Sequence, residues 1–145
     1  MDIEAADTAS WNIAESKVNG QPSIIRYRPD LHFLLGDKNY PKNLTIFWDY
    51  EYSDSSGMPS NTLSEEMRQF EDAIVPILDI DRLAIFVFAY TVNGTREWHF
   101  YTNDINAVGE RINSALSSLP KFPIEMQVET DADWTKLREV YELCS

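Results

Sequence analysis

The sequence predicts an α+β fold in which helices cover one face of an antiparallel sheet. Three observations predict it. Two β-rich runs flank Asn93-Gly94 within residues 83–101, and this dipeptide tolerates the positive φ angles of a two-residue hairpin turn. Apolar residues recur at helical spacing in residues 62–77 and 105–119, which predicts two amphipathic helices. Runs of alternating polar and apolar residues precede the first helix and follow the second.

The central hairpin of residues 83–101 divides into two faces. A two-residue turn pairs Val92 with Thr95, Ala89 with Trp98, Val87 with Phe100 and Phe86 with Tyr101. Since side chains alternate across a strand, the face predicted to lie under the helices carries Ile85, Val87, Ala89, Trp98 and Phe100. The second face is aromatic with polar tips and carries Phe86, Phe88, Tyr90, Glu97, His99 and Tyr101.

Turn residues and alternation define the remaining strands. Residues 1–9 read as a loose acidic lead-in, and residues 10–28 as an N-terminal hairpin that turns at Asn19-Gly20. The apolar segment Leu31–Leu35 has no assigned structure. Two further segments alternate in the manner of half-buried strands, at residues 44–52 and 122–129.

Three helices are predicted. The first covers residues 62–77 and should kink or end at Pro76, whose ring collides with the preceding turn. Asn103 or Asp104 caps the second helix, and Asp131 caps a C-terminal one. The outer side of the first helix carries an acidic stripe of polar residues: Glu65, Glu66, Gln69 and Asp72.

The order of these elements specifies the fold further. From residue 44 to residue 130 it is strand, helix, strand, strand, helix, strand, which is the split β-α-β order of ferredoxin-like folds. We therefore expect one domain over residues 1–145, with the hairpin at 10–28, a ferredoxin-like core at 44–130 and a C-terminal helix at 131–145. A chain of 145 residues buries about two-thirds of its unfolded surface.

The charge narrows the classes of partner. The chain carries 24 acidic and 12 basic side chains, for a formal net charge of −12. Such a field repels nucleic-acid phosphates and anionic membranes and speeds encounter with basic proteins. A basic protein partner is therefore expected, with no direct nucleic-acid or membrane contact. The first residues lack a signal-peptide pattern and no run approaches the roughly 20 apolar residues of a membrane span, so a cytoplasmic location is expected.

The sequence contains no recognisable catalytic or metal-binding pattern. His32 and His99 are its only histidines, and neither has partners at ligand spacing. Cys144 is the only cysteine, which excludes an internal disulfide. Glu97 could form a carboxylate pair with Glu51 or Asp49 on the sheet face away from the helices, but solvated or hydrogen-bonded strand residues explain these side chains better. We therefore expect no enzymatic activity, no metal and no cofactor.

The aromatic second face has three interpretations. The N-terminal hairpin or Leu31–Leu35 covers it as a second core; it is exposed and binds a protein through its aromatic residues; or it stacks nucleic-acid bases, as RNA-recognition sheets do. Base stacking requires basic flanks, for which only Arg26, Arg28 and Arg96 are candidates. The net charge argues against this third interpretation.

With the elements placed, one motif is specific: Glu97-Trp98-His99-Phe100-Tyr101 after a glycine turn. Further characteristic residues occur in order along the chain: Trp11, Asn19-Gly20-Gln21-Pro22, Ile25-Arg26, Tyr40-Pro41, Leu44, Gly57-Met58-Pro59, Glu71-Asp72, Asn93-Gly94 and Trp134. In these residues, over nearly its whole length, the chain resembles a bacterial family catalogued as domain of unknown function 695. The family resemblance implies no established activity. Weaker similarity, at the level of fold only, relates the chain to the ribonuclease E inhibitor family, which is acidic and ferredoxin-like.

Two functional hypotheses follow. The first is a non-enzymatic acidic module that binds a basic protein, as an inhibitor of a nucleic-acid-processing enzyme or an immunity protein against a cationic nuclease. Its candidate contacts are the acidic stripe and the aromatic face. The alternative is a small-molecule binding domain or enzyme with a pocket on the aromatic face, where Tyr90, Glu97, His99 and Tyr101 would converge. Nothing in the sequence specifies an oligomeric state.

Overall fold

A computed structural model describes residues 11–52 and 56–144, and a six-stranded antiparallel sheet lies at its centre. The strands are β1 (Asn12–Val18), β2 (Gln21–Tyr27), β3 (Lys42–Asp49), β4 (Ala84–Val92), β5 (Thr95–Thr102) and β6 (Ile124–Thr130). The helices are α1 (Asn61–Asp79), α2 (Ile105–Leu116) and α3 (Thr135–Cys144), with a 3-10 turn at His32–Leu34. The predicted lead-in of residues 1–9 lies outside the described residues.

The strand order confirms the predicted ferredoxin-like core. Across the sheet it runs β1-β2-β4-β5-β3-β6, so the unit β3-α1-β4 holds β5 between its two strands. The unit β5-α2-β6 likewise holds β3 between its own, which is the interleaving of two split β-α-β units. Strand β2 pairs antiparallel with β4. The N-terminal hairpin therefore widens the sheet, and it does not fold over either face.

Both predicted hairpin turns are confirmed. Asn19 and Gly20 have φ angles of 52° and 84°, and Asn93 and Gly94 have φ angles of 49° and 85°. Two successive positive φ angles define the type I′ turn, whose twist matches that of the flanking strands. The turn places Val92 opposite Thr95, as predicted.

The register predicted for β4 is correct from Val92 back to Phe88 and wrong for the residues that precede Phe88. Ala89 lies opposite Trp98 as expected, but the pairing shifts between Phe86 and Phe88, so that Phe86 faces Phe100 and Ile85 faces Tyr101. A bulge adds one residue to a single strand and breaks its alternation. Phe86 consequently joins the helix-covered core, and Ile85 and Val87 lie in the opposite core.

The first core lies between the sheet and helices α1 and α2. Its buried members include Leu44, Ile46, Trp48, Met67, Phe70, Ile74, Leu78, Trp98, Phe100, Val108 and Ile112. The periodicity of both helices thus predicted their buried sides correctly. Helix α1 continues past Pro76 to Asp79. Pro76 has no N–H to donate to the Asp72 carbonyl one turn earlier, and Asp72 is an exposed residue.

Strand β6 is more exposed than its alternation predicts. Met126 and Val128 were expected on a buried face, yet they are 40% and 45% exposed. The strand lies at the edge of the sheet, where β3 is its one partner among the described strands. Only Ile124 of β6 packs against the first core, because a helix layer covers the central strands of a sheet more fully than its edge.

Candidate functional site

The predicted acidic stripe forms a continuous exposed surface on α1. Glu65, Glu66, Gln69 and Asp72 are all exposed and line one shallow groove. The i, i+3 and i+4 spacing brings them to one side of the helix, opposite Met67, Phe70 and Ile74 of the core. The structure therefore brings all four predicted stripe residues together.

One basic side chain interrupts this surface. Arg68 pairs with Glu65 at 2.6 Å between Nη2 and Oε1, and each side chain is 67% exposed. Glu66 and Asp72 have no basic side chain within ion-pair distance in the described part of the chain. These two carboxylates supply the uncompensated charge of the stripe.

Most of the aromatic candidates lie inside the molecule and do not form a contact surface. Tyr90 is the exception, since it is half-buried and packs at the margin of the second core. Phe88, His99 and Tyr101 are 6%, 3% and 0% exposed, and Phe86 belongs to the first core. A second core covers this face, with the other buried members Tyr27, Leu31, Leu34, Tyr40, Ile85, Val87, Trp134, Leu137 and Val140. The covering interpretation is therefore confirmed for the Leu31–Leu35 segment and wrong for the hairpin.

Helix α3 and Trp134, which directly precedes it, also cover this face, and sequence reasoning did not assign them to it. Trp134 stacks on Tyr101 with ring centroids 4.1 Å apart and planes 4° from parallel. Its indole Nε1 donates to the Tyr40 carbonyl at 2.9 Å. Trp134 has a φ of 59°, which is strained for a bulky residue. Packing and the hydrogen bond hold the ring in place despite that strain.

A series of hydrogen-bonded polar side chains, Glu97, His99 and Thr45, crosses the second face beside this core. His99 Nε2 lies 2.8 Å from a Glu97 carboxylate oxygen, and His99 Nδ1 lies 3.2 Å from the Thr45 hydroxyl. The imidazole stacks on Phe88 at 4.1 Å. Burial lowers the pKa of His99, and the Glu97 carboxylate opposes that shift. Glu97 and His99 thus converge as predicted, and within the fold they form a hydrogen bond with each other.

Asp131 joins α3 to the sheet. Its carboxylate accepts hydrogen bonds from the Tyr101 hydroxyl at 2.7 Å and from the amides of Thr135 and Lys136 at 2.8 and 3.2 Å. Its predicted role at the start of the last helix is confirmed. Partial burial favours protonation of this carboxyl, but the hydrogen bonds outweigh it and hold the pKa of Asp131 below its usual value.

This carboxylate should contribute to the acid sensitivity of the fold. The pKa of Asp131 is lower in the folded state than in the unfolded state, where it is about 3.8. At pH values above 3.8 the ionised carboxylate therefore adds to the free energy of unfolding. That contribution is lost as the pH falls through the pKa of the folded state. Asp131→Asn should therefore lower stability at pH 7 and flatten its decline below pH ~5. Urea unfolding across that pH range measures both effects.

Asp133→Asn is the matched control, because Asp133 is exposed and its substitution makes the same change in charge. This variant should keep the wild-type pH dependence. If Asp131→Asn declines with acid as steeply as the wild type, the Asp131 carboxylate does not carry the effect.

The described residues contain no group of three or more His, Cys, Asp or Glu side chains arranged to hold a metal ion. His32 is exposed and stacks on Tyr141 at 4.2 Å. Partial burial raises the pKa of the Cys144 thiol, which reduces the fraction of reactive thiolate.

Sequence reasoning missed one polar cluster on the helix-covered face. Arg26 forms a bidentate ion pair with Glu71 of α1, and Trp98 Nε1 donates to the same carboxylate at 2.9 Å. Arg96 lies beside this cluster, and it lines one cleft together with Arg26 and Glu71. The available signal was alternation: Arg96 precedes Trp98 by two residues on β5, so it had to lie on the core side.

The fold and this surface define a class of protein: a ferredoxin-like α+β domain, widened by an N-terminal hairpin, that presents an acidic helix to solvent. The chain belongs to a family of unknown function, DUF695, whose model matches residues 9–140. That match gives no support to the weaker similarity to the ribonuclease E inhibitor. A search of curated proteins returns no match to this chain. In the part of the chain described, every helix is too short or too polar to cross a bilayer.

Proposed function

We propose that this chain is a non-enzymatic acidic binding module that engages a basic protein through the stripe on α1. One observation carries the proposal: Glu65, Glu66, Gln69 and Asp72 are all exposed on one side of a helix, whereas most of the aromatic candidates are buried. The net charge of −12 supports it, since long-range attraction raises the rate of encounter with a cationic surface.

The sharpest form of the proposal is an inhibitor or immunity-type regulator of a basic nucleic-acid-processing protein. Such a partner must carry a cationic surface in order to hold phosphates, and an acidic helix competes for that surface directly. A cytoplasmic location belongs to this form of the proposal, because nucleic-acid-processing enzymes act there.

Reversing the uncompensated charges of the stripe tests the proposal. Glu66→Lys combined with Asp72→Lys should slow association with a captured basic protein by about tenfold at low salt. The loss should fade as salt is raised, since screening removes long-range attraction. Stopped-flow or biosensor kinetics measure the association rate, and thermal unfolding should be nearly unchanged because both positions are exposed.

A second double variant provides the control. Glu110→Lys with Glu139→Lys changes the net charge equally at exposed positions on α2 and α3. A protein that binds wild type and this control but not the α1 variant contacts the stripe. The proposal fails if no captured protein distinguishes the two variants, or if the difference in association rate persists unchanged at high salt.

A further inference from the structure

A cleft opens on the helix-covered face, where the N-terminal hairpin extends the sheet alongside α1. The hairpin, α1, β4 and β5 all contribute lining residues. Ala89 and Thr91 of β4 have short side chains and lie among these residues. The cavity has a volume of about 280 Å³, which is near the lower end of ligand-binding pockets.

Arginine dominates the charge of this cleft. Of the residues that the structure describes, Arg26, Arg68 and Arg96 line it together with a single carboxylate, that of Glu71. Arg26 and Glu71 pair with each other, with Nη1 and Oε2 at 3.1 Å, and Glu71 also accepts the Trp98 indole N–H. The one carboxylate is thus already engaged, and the cleft keeps positive charge in a chain whose net charge is −12.

Arg96 is the arginine of this cleft whose charge is not compensated by a carboxylate of the described residues. It is half-buried, and its Nε donates to the Thr91 hydroxyl at 2.7 Å. Among the described residues, no carboxylate lies within ion-pair distance of it. Burial, and then the neighbouring charge of Arg26, lower the pKa of Arg96. An anion would offset the cost of holding this guanidinium out of water.

The remaining lining residues are apolar. Ile13, Ile24 and Met67 flank the arginines, and Ile13 is 66% exposed at the outer edge of the sheet. The cleft therefore combines a cationic end with an apolar wall. That combination suits a small molecule whose oxyanionic group binds the cationic end, while any apolar part of the molecule gains by covering the wall.

We propose that this cleft binds a small molecule through an oxyanionic group, a carboxylate or a phosphate, held between Arg26 and Arg96. A guanidinium fork matches two oxygens of either group, and the compact body of the ligand contacts Ile24 and Met67. The site does not depend on the acidic stripe, which lies on the solvent side of α1.

Titration with inorganic phosphate at constant ionic strength, balanced with chloride, tests the inference by NMR. The Trp98 indole proton should shift in a saturable manner, because its acceptor Glu71 is shared with Arg26. The Trp134 indole proton, which bonds to Tyr40 in the second core, should stay in place. Parallel titrations with sulfate, acetate and succinate identify which oxyanion the cleft prefers.

Arg96→Gln should weaken phosphate binding by roughly tenfold to a hundredfold, the usual loss for a charge-assisted hydrogen bond. Without phosphate its melting temperature should be equal to or higher than that of the wild type, since the change removes a half-buried charge that no described carboxylate pairs with. Arg96→Lys keeps the charge without the fork, and it covers the case in which the glutamine variant does not fold. Arg138→Gln, exposed at the far side of the sheet, is the matched control.

The titrations of the wild type and the two variants distinguish a specific site from a general effect of charge. A saturable shift of Trp98 that Arg96→Gln weakens and Arg138→Gln preserves supports the site. No saturable shift with any of the four anions overturns it, and so does a shift that both variants weaken equally, because that result reflects general charge and no specific site.

Discussion

Trp98→Ala is expected to lower the free energy of unfolding by about 3–5 kcal/mol, as a large truncation in a closed core. Trp98 is completely buried and packs edge-on against Phe70 of α1, with ring centroids 5.0 Å apart. Trp48 lies 6.3 Å from it on the neighbouring strand. The substitution removes the side chain that joins β3, β5 and α1 and leaves a cavity among rigid aromatic neighbours.

Equilibrium denaturation in urea measures this loss. The variant Trp98→Phe separates the contribution of packing from that of the indole hydrogen bond. Phenylalanine retains much of the packing but removes the indole N–H that Glu71 accepts, so its cost should be smaller. Ile80→Ala is the matched control, because Ile80 is 80% exposed. A loss below about 1 kcal/mol for Trp98→Ala would contradict the packing described for the first core.

Tyr101→Ala is expected to lower the free energy of unfolding by about 3 kcal/mol or more. Tyr101 is completely buried, stacks on Trp134 and donates its hydroxyl proton to Asp131. Its loss loosens α3 from the sheet. Because the side chain is internal, the protein that remains folded should bind a partner of the acidic stripe with an unchanged dissociation rate.

Measuring stability and dissociation rate on the same variant tests both statements. Tyr101→Phe keeps the stacked ring and loses only the hydrogen bond to a carboxylate, so it should cost about 1.5–3 kcal/mol. If Tyr101→Ala instead speeds dissociation while stability holds, the aromatic face must become accessible in the bound state, and the second core is not its permanent cover.

The bulge in β4 shows where sequence reasoning about side-chain faces failed. Leu83 to Val92 contains no charged residue, so a shift of register leaves the apolar pattern unchanged. Alternation therefore assigned Ala89 correctly and misplaced Ile85, Phe86 and Val87. On β5, by contrast, polar residues alternate with aromatic ones, and the faces of Trp98 and His99 were predicted correctly.

The candidate surfaces divide in the same way. The acidic stripe on α1 could be predicted, because helical spacing alone decides which side chains share a side. The cleft could not, because Arg26 meets Glu71 across 45 residues of sequence. No local sequence pattern predicts a contact between residues that are so far apart in the chain.

The sequence by itself determined the order of the elements, the two Asn-Gly turns, the buried sides of α1 and α2, and the acidic charge. Each of these depends on residues that are neighbours in the chain or one helical turn apart. The tertiary structure decided that α3 and Leu31–Leu34 cover the second face, and that Arg26, Glu71 and Arg96 meet in one cleft. Those outcomes depend on the pairing of β2 with β4 and the docking of α3, contacts between segments that are far apart in the chain.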